Sequence, residues 1–163
     1  MTQKVAIVTG SSSGMGFETS LILARNGFYT YATMRKLEGE GPKQLADITK
    51  SENLPLQIIR LDVNDDKSVK DAINTVVKGK DRIDVVVNNA GYDLMGALEE
   101  TSMEELKGQF ETNLFGAVRV MQSVIPIMRK QGGGKIVNIT SLGGRISFPL
   151  NWAYHATKFA LEG

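Results

Sequence analysis

Short apolar runs alternate with longer amphipathic segments along this chain, and the alternation predicts strands and helices in turn. Runs rich in β-branched side chains and bounded by polar or glycine-containing stretches are typical of buried strands. Five such runs are found, at Val5–Val8, Phe28–Met34, Leu56–Leu61, Ile83–Val87 and Lys135–Ile139. This regular alternation indicates an α/β protein, with helices on both faces of a parallel sheet.

The segments between the apolar runs have the spacing and capping residues of helices. The predicted helices cover Phe17–Asn26 with Gly27 as its cap, Lys43–Lys50, and a segment from Asp65 or Asp66 to about Lys78. A longer helical pattern from Thr101 or Ser102 to Lys130 is interrupted at Gly116 and Pro126, and the last ten residues begin another helix. No repeat or linker breaks this pattern, so residues 1–163 are predicted to form a single domain.

The first predicted strand leads directly into a loop rich in glycine and serine. Such a loop brings free backbone N–H groups and the positive end of a helix dipole to a phosphate, and glycine lets the two backbones approach closely. The candidate cofactor-binding residues of this loop are Gly10, Ser12, Ser13, Gly14, Met15 and Gly16. A P-loop is not favoured, because Phe17 and Glu18 stand where that motif requires Lys and Ser or Thr.

The end of the second strand bears on which dinucleotide would bind. An acidic residue there binds the ribose hydroxyl of NAD, whereas an arginine accommodates the 2′-phosphate of NADP. Arg35 and Lys36 follow the strand directly and no acidic residue precedes them within it. We therefore expect NADP to be preferred over NAD through Arg35. The alternative is a pair of solvated basic residues on a loop.

Two further motifs follow the fourth and fifth strands. The fourth strand ends in Asn88-Asn89-Ala90-Gly91, in which small residues and amides suit a flat ligand at the carboxyl edge of a sheet. Tyr154 and Lys158 lie four residues apart on a predicted helix and therefore share one face.

Taken together, these motifs resemble the short-chain dehydrogenase/reductase family. The glycine loop has the family's TGxxxGxG spacing, the fourth strand ends in its NNAG motif, and a serine precedes a YxxxK motif in the expected order. The resemblance covers essentially the whole chain. It implies a Rossmann-type doubly wound parallel sheet and hydride transfer between a nicotinamide and a ketone or secondary alcohol.

The resemblance also implies roles for individual residues. Tyr154 would act as the general acid/base, with the Lys158 ammonium favouring its phenolate, and both would contact the cofactor. Ser141 would bind the substrate oxygen, and Asn113 would interrupt its helix and hold a water against the lysine. The implied cofactor contacts are those of Asp62 and Val63 with the adenine and those of Asn89, Ala90 and Gly91 with the crevice floor. His155 is expected on the helix surface or the pocket wall.

The chain ends five residues after Lys158, whereas family members usually continue through two more strands. We therefore expect a C-terminally incomplete domain whose fifth strand has an exposed apolar edge. Alternatives to the oxidoreductase are a dinucleotide-binding fragment or scaffold without turnover and, less favoured because of its different loop spacing, a nucleotide-sugar epimerase or dehydratase. The intact parent would be a homodimer or homotetramer that takes a small carbonyl or alcohol substrate.

Composition narrows the remaining possibilities. The chain has 42% hydrophobic and 23% charged residues, a formal net charge of +1, a single histidine and no cysteine. A net charge so close to zero argues against a nucleic-acid partner. With one histidine and no cysteine, no metal site is expected. No apolar run has the length of a membrane span or a signal-peptide core, so the predicted location is cytoplasmic.

Overall fold

The structure, a computed structural model, describes residues 3–163, and within that range five strands alternate with helices. The strands are β1 (Val5–Val8), β2 (Tyr29–Met34), β3 (Leu56–Arg60), β4 (Val85–Asn88) and β5 (Lys135–Asn138). The α-helices are α1 (Gly14–Arg25), α2 (Glu40–Ser51), α3 (Asp66–Lys80), α4 (Met103–Phe110), α5 (Gly116–Lys130) and α6 (Trp152–Glu162).

The strands form one parallel sheet in the order β3-β2-β1-β4-β5. In the register of this sheet, Ile7 of β1 pairs with Tyr31 of β2 on one side and with Val86 of β4 on the other. The winding direction therefore reverses between β1 and β4, which opens a crevice at the carboxyl ends of these strands. The predicted α/β, doubly wound parallel sheet is confirmed.

Each face of the sheet packs against its own apolar layer. Ile73 of α3 and Val120 of α5 are buried against β1 and β4 on one face, and Leu21 of α1 and Leu45 of α2 are buried against β2 on the other. Each such side chain contributes about 1.5–3 kcal/mol on leaving water. Val137 of β5, at the end of the sheet, is 43% exposed, as expected for its apolar edge.

Two helices begin earlier than the sequence pattern predicts. Helix α1 begins at Gly14 rather than Phe17, so the last glycines of the loop belong to its first turn. Helix α2 begins at Glu40 rather than Lys43, and Pro42 lies within its first turn. Proline is tolerated there because its missing N–H would have no partner within the helix.

The long helical pattern after residue 102 is continuous in space but changes its winding. Ser102 caps α4 with a capping box to Glu105, and α4 passes through a π-helical segment, Glu111–Phe115, into α5. Neither Gly116 nor Pro126 ends the helix, since Gly116 begins α5 and Pro126 lies inside it. The predicted interruption is therefore a widened turn just before Gly116, and π turns of this kind are frequent at functional sites.

Candidate active site

The glycine loop adopts a conformation that requires glycine at two positions. Gly10 has φ of 69°, and a Cβ there would lie 2.8 Å from the Cα of Ala90. A Cβ on Gly16 would lie 2.4 Å from both the carbonyl oxygen of Gly10 and Nδ2 of Asn89. The loop is therefore pressed against the end of β4, and the first turn of α1 stands directly beside it.

Thr9 and Asn89 fasten these two segments together. The Thr9 hydroxyl accepts hydrogen bonds from the backbone N–H groups of Asn89 and Ala90, both at 3.0 Å. Asn89 Nδ2 donates to the carbonyl oxygens of Thr9 and Gly10 at 2.9 and 3.2 Å. Sequence reasoning missed Thr9 as a positioning residue. The sequence feature that could have indicated this role is a hydroxyl side chain placed between the apolar run of β1 and Gly10, the first glycine of the loop.

A cleft of about 1030 Å³ opens at the carboxyl ends of the strands. Of the predicted cofactor-binding residues, those that line it are Gly10, Ser12, Ser13, Met15, Arg35, Asp62, Val63, Asn89, Ala90 and Gly91. The cleft lining does not include Gly14, Gly16, Tyr154 or Lys158. Gly16 is buried, whereas Gly14 is exposed. The loop and the strand ends thus form a cradle that matches a dinucleotide in size and in its exposed backbone.

The region around Arg35 is more mixed in charge than the sequence suggested. Arg35 is exposed at the end of β2 and, among residues 3–163, forms no ion pair. Lys36 lines the same part of the cleft, but so do the carboxylates Glu38 and Glu40. They reach the cleft because Gly41 packs against Ser12, where a Cβ would lie 1.9 Å from the Ser12 carbonyl oxygen.

The loop after β3 forms a further wall of the cleft. Asp62 Oδ1 accepts a hydrogen bond from the backbone N–H of Asn64 at 3.0 Å, which fixes the turn. Val63 is buried, and a Cβ on Gly116 would lie 2.8 Å from its Cγ2 atom. Gly116 therefore allows α5 to approach this wall closely.

Asn113 lies in the π-helical segment, where the regular helical hydrogen bonding is interrupted. Its side chain is 2% exposed and is fully engaged. Nδ2 donates to the Tyr92 carbonyl oxygen at 2.9 Å and to the Thr157 hydroxyl at 3.1 Å, and Oδ1 accepts from the Tyr92 N–H at 3.0 Å. Asn113 thus joins the segment after β4 to α6 and contacts Thr157, the neighbour of Lys158.

Helix α6 brings Tyr154 and Lys158 together. Lys158 Nζ lies 5.6 Å from the centroid of the Tyr154 ring and donates a hydrogen bond to the Ile139 carbonyl oxygen at 2.7 Å. Lys158 is 6% exposed, and this burial lowers the pKa of its ammonium group. The helix thus places a buried cation beside a partly exposed phenol, an arrangement in which the charge of the ammonium favours the phenolate form.

Ser141 lies just beyond β5, in extended conformation before a short 3₁₀ turn. Its hydroxyl oxygen accepts a hydrogen bond from the Gly143 N–H at 3.1 Å. Within residues 3–163, this hydroxyl makes no hydrogen bond to that of Tyr154. The structure therefore brings Tyr154 and Lys158 into one cluster and leaves the Ser141 hydroxyl oriented by its own turn.

His155 is buried at 4% exposure, contrary to the expectation of a surface or pocket-wall position. Its Nδ1 accepts a hydrogen bond from the Phe148 N–H at 3.3 Å, and its ring contacts that of Phe148. The imidazole thereby holds the segment that leads from Ser141 into α6. It was misplaced because helix periodicity alone does not show that this segment folds back over α6.

Comparison with known proteins identifies the family. Residues 4–163 match the family described as short chain dehydrogenase, and the chain belongs to it. Over its whole length it is 41% identical to the uncharacterized oxidoreductase YusZ of Bacillus subtilis (strain 168), covering 58% of that protein. It is 38% identical to the 3-ketodihydrosphingosine reductase of Bacteroides thetaiotaomicron, covering 56% of it. The chain thus spans somewhat more than half the length of these relatives.

Solved structures show the same fold. A variant of actinorhodin polyketide ketoreductase with NADPH superposes with a TM-score of 0.91 at 31% identity, over 99% of this chain and 63% of that one. Across residues 3–163, none of the helices is long and apolar enough to span a membrane. The same residues hold no group of three or more His, Cys, Asp or Glu side chains placed to bind a metal ion.

Proposed function

We propose that this chain carries the cofactor-binding and proton-transfer parts of an NADPH-dependent oxidoreductase that interconverts a ketone and a secondary alcohol. The observation that supports it most strongly is the pairing of buried Lys158 with Tyr154, on a helix anchored beside a cleft of dinucleotide size. Names of relatives agree with this reaction class, since the family's members compared above include an oxidoreductase and two ketone reductases.

Each residue of the site would have a distinct task. The Tyr154 hydroxyl would deliver a proton to the substrate oxygen, or remove one in the reverse direction. The Lys158 ammonium would stabilise the phenolate left behind, and the Ser141 hydroxyl would donate a hydrogen bond to the substrate oxygen. Asn113 would hold Tyr92 and Thr157 in place and so fix α6 against the cleft. NADPH, when bound, supplies the hydride.

The fit of the cofactor depends on the cradle rather than on any single side chain. The backbone near Gly10 and Gly16 leaves no room for a Cβ, so the loop keeps its N–H groups at the cleft surface beside α1. No acidic residue lies in the first turn of α1, which leaves the positive end of its dipole uncompensated.

The preference for NADP is supported by the position of Arg35. Its guanidinium is exposed at the cleft and unpaired with any carboxylate of residues 3–163, so it is available for bidentate contact with a 2′-phosphate. Lys36 adds a second positive charge. Glu38 and Glu40 oppose this preference, because their carboxylates repel a phosphate. The size of the preference for NADP depends on the balance between these two acidic residues and the two basic ones. The structurally similar actinorhodin polyketide ketoreductase variant contains NADPH.

A second candidate is dinucleotide binding without turnover by this chain alone. Two observations favour it. Tyr154 and Lys158 do not line the cleft, and the hydroxyl groups of Ser141 and Tyr154 are not joined by a hydrogen bond. In this case the cradle would bind NADPH although the catalytic side chains remained unassembled.

Two measurements on the same chain separate these candidates. Quenching of Trp152 fluorescence reports NADPH binding, and the loss of NADPH absorbance reports its oxidation by a panel of ketones. An oxidoreductase shows both, whereas a binding protein shows quenching alone. If neither signal appeared at millimolar NADPH, both candidates would be wrong.

A further inference from the structure

Arg119 of α5 joins three separate parts of the chain although it does not line the cleft. Its Nη1 donates to the carbonyl oxygen of Val63 at 2.5 Å, and its Nη2 donates to Oε1 of Glu111 at 2.6 Å. Its Nε donates to a carboxylate oxygen of Asp66, in the first turn of α3. The Arg119 side chain is 21% exposed, whereas those of Glu111 and Asp66 are 39% and 71% exposed, so solvent reaches both ion pairs.

The contacts of Arg119 hold the cleft wall after β3. Asp62, Val63 and Asn64 all line the cleft, and the Arg119 contact fixes the one carbonyl group at the centre of this wall. A second bridge runs parallel to it, because Asn64 Nδ2 donates to the Thr112 hydroxyl at 2.9 Å. The first bridge continues from Arg119 to Glu111 and the second ends at Thr112, so both reach adjacent residues of the same stretch of helix.

That stretch of helix is the π-helical segment. Glu111 is its first residue, and Asn113 lies two residues further along. The widened turn shifts the helix backbone, and Glu111 reaches the guanidinium from eight residues before it. The wall after β3 is therefore fixed to the same segment that positions Tyr92 and Thr157 through Asn113.

The chemistry of the arrangement is specific to arginine. The planar guanidinium directs donors to three acceptors at once, which the single ammonium of lysine cannot do in this geometry. Burial alone would lower the pKa of Arg119, but the hydrogen bonds to Glu111 and Asp66 outweigh it and raise the pKa. Without the guanidinium, two carboxylates would stand uncompensated near a cleft proposed to bind an anionic ligand.

We propose that Arg119 is a positioning residue for the adenine half of the bound dinucleotide, acting through Val63 and its neighbours without touching the ligand. This inference rests on the proposed dinucleotide site. It predicts that loss of Arg119 weakens binding at the adenine end even where the chain remains folded.

The test compares binding of 2′,5′-ADP, the adenine half of NADP, to the unaltered chain and to three variants by isothermal titration calorimetry. Arg119→Met should raise the dissociation constant about tenfold, since hydrogen bonds to charged groups are lost from the wall. Arg119→Lys should recover part of this loss. Arg82→Met is the matched control, because Arg82 makes a two-point contact with Asp84 before β4, away from the cleft.

Amide hydrogen exchange on the same variants, without ligand, gives a second readout. Arg119→Met should speed exchange around Asp62 to Asn64 and around Glu111 to Asn113, whereas the control should leave these amides unchanged. A general loss of stability would speed exchange across the sheet as well.

Equal affinity for 2′,5′-ADP in Arg119→Met and the unaltered chain would overturn the inference and leave the proposed function standing. Equal weakening by Arg82→Met would overturn it too, because the effect would then follow from stability alone. If the unaltered chain did not bind the nucleotide, the proposed site would be wrong and the inference with it.

Discussion

Gly16 is tightly confined where the glycine loop enters α1, because a side-chain carbon there would meet two neighbours at 2.4 Å. One neighbour is the Gly10 carbonyl oxygen and the other is the amide of Asn89, so neither can move without shifting the loop or the end of β4. The residue therefore couples the geometry of the loop to the strand that carries the NNAG motif.

We expect Gly16→Ala to lower the free energy of unfolding by about 1–3 kcal/mol through overpacking and to abolish NADPH binding. Gly27→Ala is the control, because Gly27 has φ of 85° but open space around it. It should lower the free energy of unfolding by about 1 kcal/mol and leave nucleotide binding intact. Urea denaturation and fluorescence titration measure the two effects. Normal NADPH binding by Gly16→Ala would contradict the proposed contact between loop and ligand.

Arg35 is expected to decide how NADPH and NADH differ as ligands. NADPH at a hundred times its dissociation constant should stabilise the chain by about 2.7 kcal/mol, and NADH at the same concentration should stabilise it less. Arg35→Ala should remove most of this difference, whereas Arg129→Ala, in the last turn of α5, should preserve it. Thermal denaturation with each cofactor measures the shifts. A larger shift with NADH than with NADPH would show that Glu38 and Glu40 dominate.

Lys158 gives the stability of the chain a specific dependence on pH. Its pKa is lowered in the folded state by burial, so the unfolded state holds its proton to higher pH. The penalty for burying the charge is present at neutral pH and is relieved as pH rises from the lowered pKa towards the ordinary value of about 10.4.

Lys158→Met removes this group, so its stability relative to the unaltered chain should fall as pH rises from the lowered pKa of Lys158 towards the ordinary value of about 10.4. Denaturation of both proteins at each pH measures the difference. Lys78→Met, at an exposed position in α3, should show no such trend. A difference that is constant or grows across this range would mean that burial does not lower the pKa of Lys158.

At the scale of elements, the π-helical segment Glu111–Phe115 gives the site its particular form. It turns Asn113 inward to Tyr92 and Thr157 while Glu111 reaches Arg119. The hydrophobic spacing of residues 103–130 predicts a helix there, but a single widened turn hardly alters that spacing.

We expect Asn113→Ala to lower the free energy of unfolding by about 1–3 kcal/mol, because it leaves the Tyr92 N–H without its acceptor. The Tyr92 carbonyl oxygen loses one of its two donors and keeps Gln109 Nε2 at 3.0 Å. Thr75→Ala is a suitable control, since Thr75 is exposed and only its hydroxyl contact with the Asp71 carbonyl is lost. Chemical denaturation checks both values. A loss for Asn113→Ala no larger than that of the control would show that the segment does not depend on this side chain.

Some parts of the site follow from local sequence and others do not. The parallel sheet with helices on both faces, the glycine loop and the Tyr154–Lys158 pair depend on spacing within one segment or on general rules of parallel sheets, so they could be predicted. The bridges of Thr9 to Asn89 and of Arg119 to Val63 join residues 80 and 56 positions apart, which no local pattern reveals. The early start of α2 was missed for a different reason, because proline inside a first turn also fits a loop.

At the scale of the whole molecule, the sheet divides the proposed work between its two ends. The loop after β1 and the ends of β2 and β3 surround the cleft, whereas the segment after β5 and helix α6 hold Ser141, Tyr154 and Lys158. Asn113 connects the two ends, because its side chain donates hydrogen bonds to Tyr92, in the segment after β4, and to Thr157 of α6. The relatives are longer than this chain, which covers 58% and 56% of the two compared, so the activity of the whole protein remains the proposal made above.

The most direct test of the account follows deuterium from NADPH labelled at the nicotinamide C4 position into the alcohol formed from a ketone. The unaltered chain should transfer the label, and Tyr154→Phe should transfer it at least about a hundredfold more slowly while binding NADPH equally well. Equal transfer by the two proteins, or NADPH binding by the unaltered chain with no label in any alcohol, would contradict the role proposed for Tyr154.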